Sequence, residues 1–442
     1  MSKNFVTINE KIKNFRKKIN IDGDKSLSIR WALIASQSIG VSKAKNLLKS
    51  EDVKNTLNCL KKLGVKINEH KNFCTVEGRG LNGFIFRKNL ILNAGNSGTL
   101  GRLILSLLIK SPYKIKIIGD KSLSKRDFKR VSDPLTKFGA KFILSKNQYL
   151  PIKIFGTSDL KPINYFEKKG SAQCKSSVIF GGIRTKGKTI IRAKKSRNHT
   201  ELLFKHMRLP LRVISKKNFD EITIEQVKRI SPLKYNIPSD ISSSAFFIAL
   251  TVLTNNSQLI IKNVNVNPSR IGIITILKKM GVKIILKNQR IYNGEKIADI
   301  KVRSPQSIKP INCPSKLNSG TIDEFLIIFI IAAKAKGVSF FKKLSELNHK
   351  ESPRLDWGKY ILKQMGVKIK STKDSIKIFG NPNLKINKKI VIKNYLKDHR
   401  VFMASTIAAL TFGGMWKIYD KDSIKTSFPN FLKIINKIKN SN

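Results

Sequence analysis

Cysteine is scarce in this chain. The four in 442 residues, Cys59, Cys74, Cys174 and Cys313, form no C-x-x-C pair. That spacing suggests neither a disulfide framework nor a zinc site. Histidine is almost as rare, and the five histidines do not gather at ligand spacing, so no metal is expected. Long hydrophobic runs are missing too. The run Phe325 to Ala333 stops at Lys334 and is too short to span a bilayer. Met1 to Asn20 contains no signal-peptide core. A soluble, unexported, cytoplasmic protein with no membrane partner is therefore expected.

Negative charge is in short supply as well, with 28 Asp and Glu against 87 Lys and Arg, a net charge of +59. Such an excess ordinarily points to nucleic acid. Here the lysines are scattered through every segment among abundant Ile and Asn, and no basic run is interleaved with aromatics. No helix-turn-helix, RNA-recognition or zinc-finger signature appears either. A broad bias toward Lys, Ile and Asn explains the numbers, and no nucleic-acid partner is expected. The charge suits the gathering of small anionic substrates.

What the chain does have is repetition. Leu60-Lys61-Lys62-Leu63-Gly64-Val65-Lys66-Ile67 is echoed by Leu135 to Phe142, by Leu277 to Ile284 and by Leu362 to Ile369. Each copy reads as the last turn of a helix, a glycine cap and then a strand. A degenerate copy without the glycine runs from Leu203 to Ile214, and a final helix, Phe431 to Ile438, stands where a sixth belongs. Six α/β (or α+β) units of roughly 70 to 85 residues are the simplest organisation, three to each of two similar domains. Small-molecule sites favour clefts between domains.

A second set of signals carries charge. Gly95-Asn96-Ser97-Gly98-Thr99, followed by Arg102, lies between two apolar runs and reads as a strand-to-helix turn. A helix starting at Ser97 or Thr99 would aim its positive end and its N–H groups at an anion. The hexapeptide Gly-Asp-Lys-Ser-Leu-Ser occurs twice, at 23–28 and 119–124, leading to Arg30 and to Arg126. Further polar turns follow: Ser171-Ala172-Gln173-Cys174-Lys175, Ser196-Arg197-Asn198-His199-Thr200-Glu201, Pro238-Ser239-Asp240 and Asn267-Pro268-Ser269-Arg270. Later come Ile322-Asp323-Glu324, Lys350-Glu351-Ser352-Pro353-Arg354, Asp398-His399-Arg400 and Thr426-Ser427-Phe428-Pro429.

In order and wording these motifs resemble the 5-enolpyruvylshikimate-3-phosphate synthase (3-phosphoshikimate 1-carboxyvinyltransferase) family, from about Ile21 to Phe431. The resemblance implies two domains, each of three βαβαββ units (an inverse α/β barrel), with crossovers before Lys25 and near Asp240. One domain would then be discontinuous, residues 1–22 and 241–442, and the other inserted, residues 23–240, with the active site in the cleft between them. The implied reaction moves the enolpyruvyl group of phosphoenolpyruvate to the 5-hydroxyl of shikimate 3-phosphate by addition–elimination and releases phosphate. It belongs to the shikimate pathway to chorismate and the aromatic amino acids.

Carried over motif by motif, Lys25, Ser26 and Arg30 hold shikimate 3-phosphate, with Lys25 also reaching phosphoenolpyruvate and counted among the catalytic residues. Ser171, Ala172, Gln173 and Ser196 contact shikimate 3-phosphate, Gln173 being shared between both ligands. Gly98, Arg126, Arg354 and Arg400 bind phosphoenolpyruvate, with Asn96 shaping the loop. Asp323 takes the 5-hydroxyl proton, Glu351 protonates the methylene carbon, and Lys350 lies on the shikimate 3-phosphate side. No cofactor or metal is implied, and a monomer is expected. Read without the resemblance, Asp323 is a helix cap, Glu351 a first-turn acid, and Arg354 and Arg400 surface ion-pair partners.

The chain departs from the family pattern at Ile29 (often histidine), Asp127 (usually proline) and Pro353 (normally aspartate). Thr426 stands where a lysine is expected, with Lys425 one step earlier. The rival is the sister enzyme that transfers enolpyruvyl to UDP-N-acetylglucosamine. Its loop usually carries a reactive cysteine, and Gly119 to Pro134 has none. Ser171-Ala172-Gln173, Arg197-Asn198-His199 and Asn267 to Arg270 resemble the subclass associated with glyphosate tolerance. Gly98 keeps the small residue linked with sensitivity, and a glyphosate-sensitive target is expected.

Overall fold

The computed structural model describes residues 4–440. Its contacts divide the chain into two units. One, here the inserted unit, is Gly23–Ile237 with Ile291–Glu295; the other, the split unit, comprises the chain up to Asp22, Pro238–Arg290 and the chain from Lys296 on. Each has its own apolar core. No described helix is long and apolar enough to cross a membrane.

The inserted unit builds the same small sheet three times. In the first, Lys234–Asn236, Ile39–Lys45, Phe73–Arg79 and Lys66–Glu69 lie side by side, the first pair parallel and the other two antiparallel. The second repeats that pattern with Ile91–Asn93, Ile115–Ile118, Ile152–Phe155 and Lys141–Leu144. The third uses Asn164–Glu167, Lys188–Lys194, Phe219–Glu225 and Leu211–Ser215.

The split unit holds three more sheets, with the chain's start woven into two of them. Arg16–Ile19 pairs parallel to Gln258–Asn265, and Phe5–Ile8 pairs antiparallel to Met415–Tyr419. The sixth repeat thus takes its antiparallel strand from Phe5–Ile8, and Phe431–Lys439 is the last described helix. The remaining sheet orders Gly337–Phe341, Ile376–Gly380 and Ile369–Ser371.

Two kinds of helix connect these strands. Lys25–Ala35, Gly98–Leu107 and Ala172–Gly182, with Ile241–Leu253, Phe325–Ala332 and His399–Phe412 in the split unit, are buried along nearly their whole length. Most of their residues are apolar or small, as in a helix surrounded by protein. Of the few charged ones, Arg30, Arg102, Lys175 and Arg400 are buried with them. Glu51–Lys62 and Gly272–Lys279 instead bury one face and show lysines to water at their last turns. Central helices that start at polar turns are what place the motifs: Asp24, Ser97, Ser171, Asp240 and Asp398 each accept a backbone N–H at an N-terminus.

The repeated glycine is a cap. Gly64, Gly139, Gly281 and Gly366 all have φ between +78° and +108°. After Glu51–Lys62 the Gly64 N–H donates to Lys61 O (3.0 Å) and the Val65 N–H to Leu60 O (3.1 Å), the paired bonds of a Schellman ending. Gly281 with Val282 and Gly366 with Val367 repeat both bonds. The degenerate copy makes the same ending with Arg208, at φ 55°, in place of glycine: Arg208 N donates to Lys205 O and Leu209 N to Phe204 O.

Candidate functional site

In the inserted unit the sequence motifs meet around the starts of three central helices. Asp24 Oδ1 caps Lys25–Ala35 by accepting from Leu27 N (2.9 Å). The first residues of that helix carry Lys25, 2.8 Å from Asp52, and Ser26. Arg30 is buried and forked: Nε donates to Thr200 Oγ1 (2.9 Å), Nη2 to Ser176 Oγ (3.2 Å) and Nη1 to Ser26 O (3.1 Å). The same hexapeptide at Gly119–Ser124 makes the same cap, Asp120 Oδ1 to Leu123 N (2.8 Å), but only a short 3-10 turn follows and Lys121 is exposed.

Ser97 caps the helix Gly98–Leu107, so this helix begins between the two residues expected. Asn96 bridges the loop, donating from Nδ2 to Asp120 Oδ2 (2.6 Å) and accepting at Oδ1 from Arg126 Nη2 (3.0 Å). Gly98 lies against two cations. A Cβ there would sit 3.0 Å from Arg126 Nη1 and 3.2 Å from Arg102 Nη1. Ser171 caps Ala172–Gly182 through Cys174 N (3.3 Å) and is itself held by Glu167, whose Oε2 accepts from Ser171 N (2.8 Å). Within the first turn Gln173 reaches the Gly98 loop, and about one turn later Ser176 reaches Arg30, so this one helix joins both sets of residues. Ser196 Oγ is buried without a protein partner among the described residues.

Beneath these lies an ion pair that the motifs contained but gave no role. Lys175 Nζ is 2.6 Å from Glu201 Oε1, with side chains 0% and 5% exposed. Lys175 and Glu201 occupy two of the polar turns read from the sequence, which was the available signal. Asp52, the partner of Lys25, had none, because it sits in an ordinary amphipathic helix.

In the split unit Asp323, Lys350, Glu351, Arg354, Asp398 and Arg400 converge. Arg354, only 2% exposed, is their centre. Its Nε donates to Asp398 Oδ2 (2.9 Å), its Nη1 to Asp323 Oδ1 (3.1 Å) and its Nη2 to Glu351. Burial alone would lower its pKa, but Asp398, Glu351 and Asp323 together raise it above the ordinary arginine value. Asp398 also caps His399–Phe412 through Arg400 N (2.9 Å) and accepts from Ser352 Oγ (2.9 Å). Arg400 Nη1 donates to the Asp323 carbonyl (2.9 Å), and Lys350 Nζ lies 3.9 Å from Asp323 Oδ1. Pro353 occupies the N-cap position of Arg354–Gln364 and makes no side-chain cap.

Other candidates fall elsewhere. Lys425 stands on an exposed turn with Asp422 2.8 Å away. His399 Nδ1 lies 3.2 Å from Thr426 Oγ1. All four cysteines are buried, and burial pushes the Cys59 and Cys74 thiols up to about 12 and Cys313 to about 11. None is a ready nucleophile. No group of three His, Cys, Asp or Glu among the described residues could hold a metal ion.

Each cluster offers cations and oriented N–H groups, several of them held in place by carboxylates (Asp52 on Lys25; Asp323, Glu351 and Asp398 on Arg354), a setting for small, highly charged anions. Comparison with known proteins agrees. The chain is 37% identical over 429 residues to a 3-phosphoshikimate 1-carboxyvinyltransferase of Petrotoga mobilis, covering 96% of this chain and 98% of the relative. It is 39% identical over 422 residues to the protein of that name from Ruthia magnifica, covering 95% and 94%. A solved EPSP synthase from Acinetobacter baumannii superposes with a TM-score of 0.85 at 32% identity, covering 98% of both chains. The enolpyruvyl transferase NikO from Streptomyces tendae shares the fold at a TM-score of 0.77 and 12% identity, covering 98% of this chain and 97% of that one. The model of the EPSP synthase (3-phosphoshikimate 1-carboxyvinyltransferase) family matches residues 9–435, and the chain belongs to that family.

Proposed function

We propose that the chain transfers the enolpyruvyl group of phosphoenolpyruvate to the 5-hydroxyl of shikimate 3-phosphate, and that the residues gathered above do the work. The observation that carries this is Arg354 holding Asp323 and Glu351 on one guanidinium. Addition requires a base at the 5-hydroxyl and an acid at the methylene carbon, both beside a bound anion. Asp323 is the base: it removes the hydroxyl proton as the oxygen attacks C2 of phosphoenolpyruvate. Glu351, displaced from Arg354 by the incoming anion and protonated from solvent as it binds, delivers that proton to C3 and takes one back in the elimination. Elimination then expels phosphate as the C3 proton is lost again.

Each phosphate brings roughly −1.5 to −2 charges at neutral pH, so binding is mostly a matter of neutralisation. Lys25, Ser26, Arg30, Ser171, Ala172, Gln173, Ser196 and Lys350 serve shikimate 3-phosphate. Gly98, Arg126, Arg354 and Arg400 serve phosphoenolpyruvate, with Lys25 and Gln173 shared and Asn96 bracing the loop. Asp398 keeps the Nε edge of Arg354, reaching Nη2 as well at 3.4 Å, so an incoming carboxylate competes for Nη1 and the outer Nη2 hydrogen, where Asp323 and Glu351 sit, and turns those two over to catalysis. We propose further that the protein works as a cytoplasmic monomer.

Phosphate release by the purified protein, with phosphoenolpyruvate and either shikimate 3-phosphate or UDP-N-acetylglucosamine, tests the reading. Release with shikimate 3-phosphate alone, lost by at least about a hundredfold in Asp323→Asn and in Glu351→Gln, is expected. Turnover with the nucleotide sugar, or an Asp323→Asn enzyme of undiminished rate, would refute it.

A further inference from the structure

Arg102 ends the glycine-loop motif, yet no step of the reaction uses it. It is 8% exposed, in the buried helix Gly98–Leu107. Its Nη1 donates to Gln173 Oε1 at 2.6 Å, and its Nη2 to the Asp127 carbonyl at 3.2 Å. Its guanidinium carbon lies 5.3 Å from the centre of the Phe128 ring. The single proton of Ser177 Oγ is shared between the carbonyls of Gln173 (2.9 Å) and Arg102 (3.2 Å), tying the two helices at this level. On the other side of the same amide, Gln173 Nε2 donates to Thr99 Oγ1 at 3.0 Å.

We propose that Arg102 is a positioning residue that fixes which end of the Gln173 carboxamide faces the substrates. The proposal rests on the reading of Gln173 as a residue shared by both anionic ligands. A guanidinium has five donors and no acceptor, so only the oxygen end of an amide can face it. The nitrogen end is thereby turned toward Thr99, with a second N–H to offer an anionic oxygen. A reversed amide would aim a carbonyl oxygen at the ligands and its own N–H groups at the arginine.

The holder is itself held. One arm of the fork bonds the Asp127 carbonyl, and the Phe128 ring lies against its face. Burial, and then the neighbouring Arg126, push the Arg102 pKa down to about 10, which still leaves it a cation at neutral pH. Lysine could keep the charge but not bond Gln173 and the Asp127 carbonyl as a planar fork does.

A double-mutant cycle decides the matter. Arg102→Lys lowers kcat/KM for both substrates by about tenfold, chiefly through KM, as loss of one charge-assisted hydrogen bond would. In a Gln173→Ala background the same change has an effect within about twofold, because there is no amide left to orient. Thr99→Val probes the amide from its other end, independently of whether Arg102→Lys folds; it gives a smaller loss that also vanishes with Gln173→Ala. Equal losses in both backgrounds would overturn the proposal. A Gln173→Ala enzyme with wild-type KM for both substrates would instead remove the ligand contact on which the proposal rests, and so fails distinguishably.

Discussion

At the scale of single residues, the site trades stability for charge placement. Gly98 shows the tightness: the space its missing side chain leaves is bounded by the Arg126 and Arg102 guanidiniums. Gly98→Ala would bring a methyl to 3.0 Å from Arg126 Nη1, closer than a carbon atom ordinarily tolerates, and both cations must shift by a few tenths of an ångström. The expected result is a rise in KM for phosphoenolpyruvate of roughly tenfold, about what one weakened charged hydrogen bond is worth, with a smaller change for shikimate 3-phosphate. Steady-state kinetics with each substrate varied in turn would show it; equal rises in both KM values would disprove it. Lys175 and Glu201 make the complementary case. Removing one partner leaves an uncompensated buried charge, so Lys175→Met should cost about 3–5 kcal/mol. Adding Glu201→Leu to Lys175→Met should recover a large part of that, because replacing both ions restores a neutral interior. Urea melts of the two variants are the check, and a double mutant no more stable than the single would contradict it.

At the scale of elements, the glycine caps were the most legible feature of the chain. A left-handed residue after a helix has a residue type attached to it, so Gly64, Gly139, Gly281 and Gly366 announce their own geometry. The pairing of Arg354 with Asp323, 31 positions away, and with Asp398, 44 away, has no such local signature. Nor does the use of Lys234–Asn236 as the first strand of a sheet whose next member is Ile39–Lys45. Local propensity writes caps; only packing of the whole chain writes long-range partners. The twin hexapeptides show the limit from the other side, giving the same aspartate cap twice but a long helix only where apolar residues continue it. Arg208 gives a test at this level. It holds φ 55° at the end of His199–His206 with both Schellman bonds made, a conformation that costs a side-chain-bearing residue about 1–2 kcal/mol. Arg208→Gly relieves that strain and loses part of the gain to the freer unfolded chain. A net stabilisation of about 0.5–1 kcal/mol is expected. A destabilised variant in a denaturant melt would mean that the Arg208 side chain contributes more than its backbone costs.

At the scale of the whole molecule, a charge of +59 acts on two processes with opposite consequences. Like charges spread over one chain repel, and that repulsion weighs on the folded state because folding brings them together. The same field is expected to draw in substrates that each carry a carboxylate and a phosphate. Added salt weakens both. Between about 10 mM and 100 mM ionic strength the screening length falls from about 30 Å to about 10 Å, so long-range effects fade while contacts within the Arg354 cluster persist. Two trends should therefore diverge over this range. The melting temperature should rise as self-repulsion is screened. kcat/KM for both anionic substrates should fall, with kcat nearly constant, because capture and not chemistry feels the distant lysines. A neutral osmolyte of matched viscosity would reproduce any slowing due to diffusion alone but not the salt effect. If kcat/KM stayed flat while the melting temperature climbed, the excess lysines would be a burden on folding with no return in substrate capture. A composition bias acting on the chain as a whole would then account for them without any contribution from the reaction.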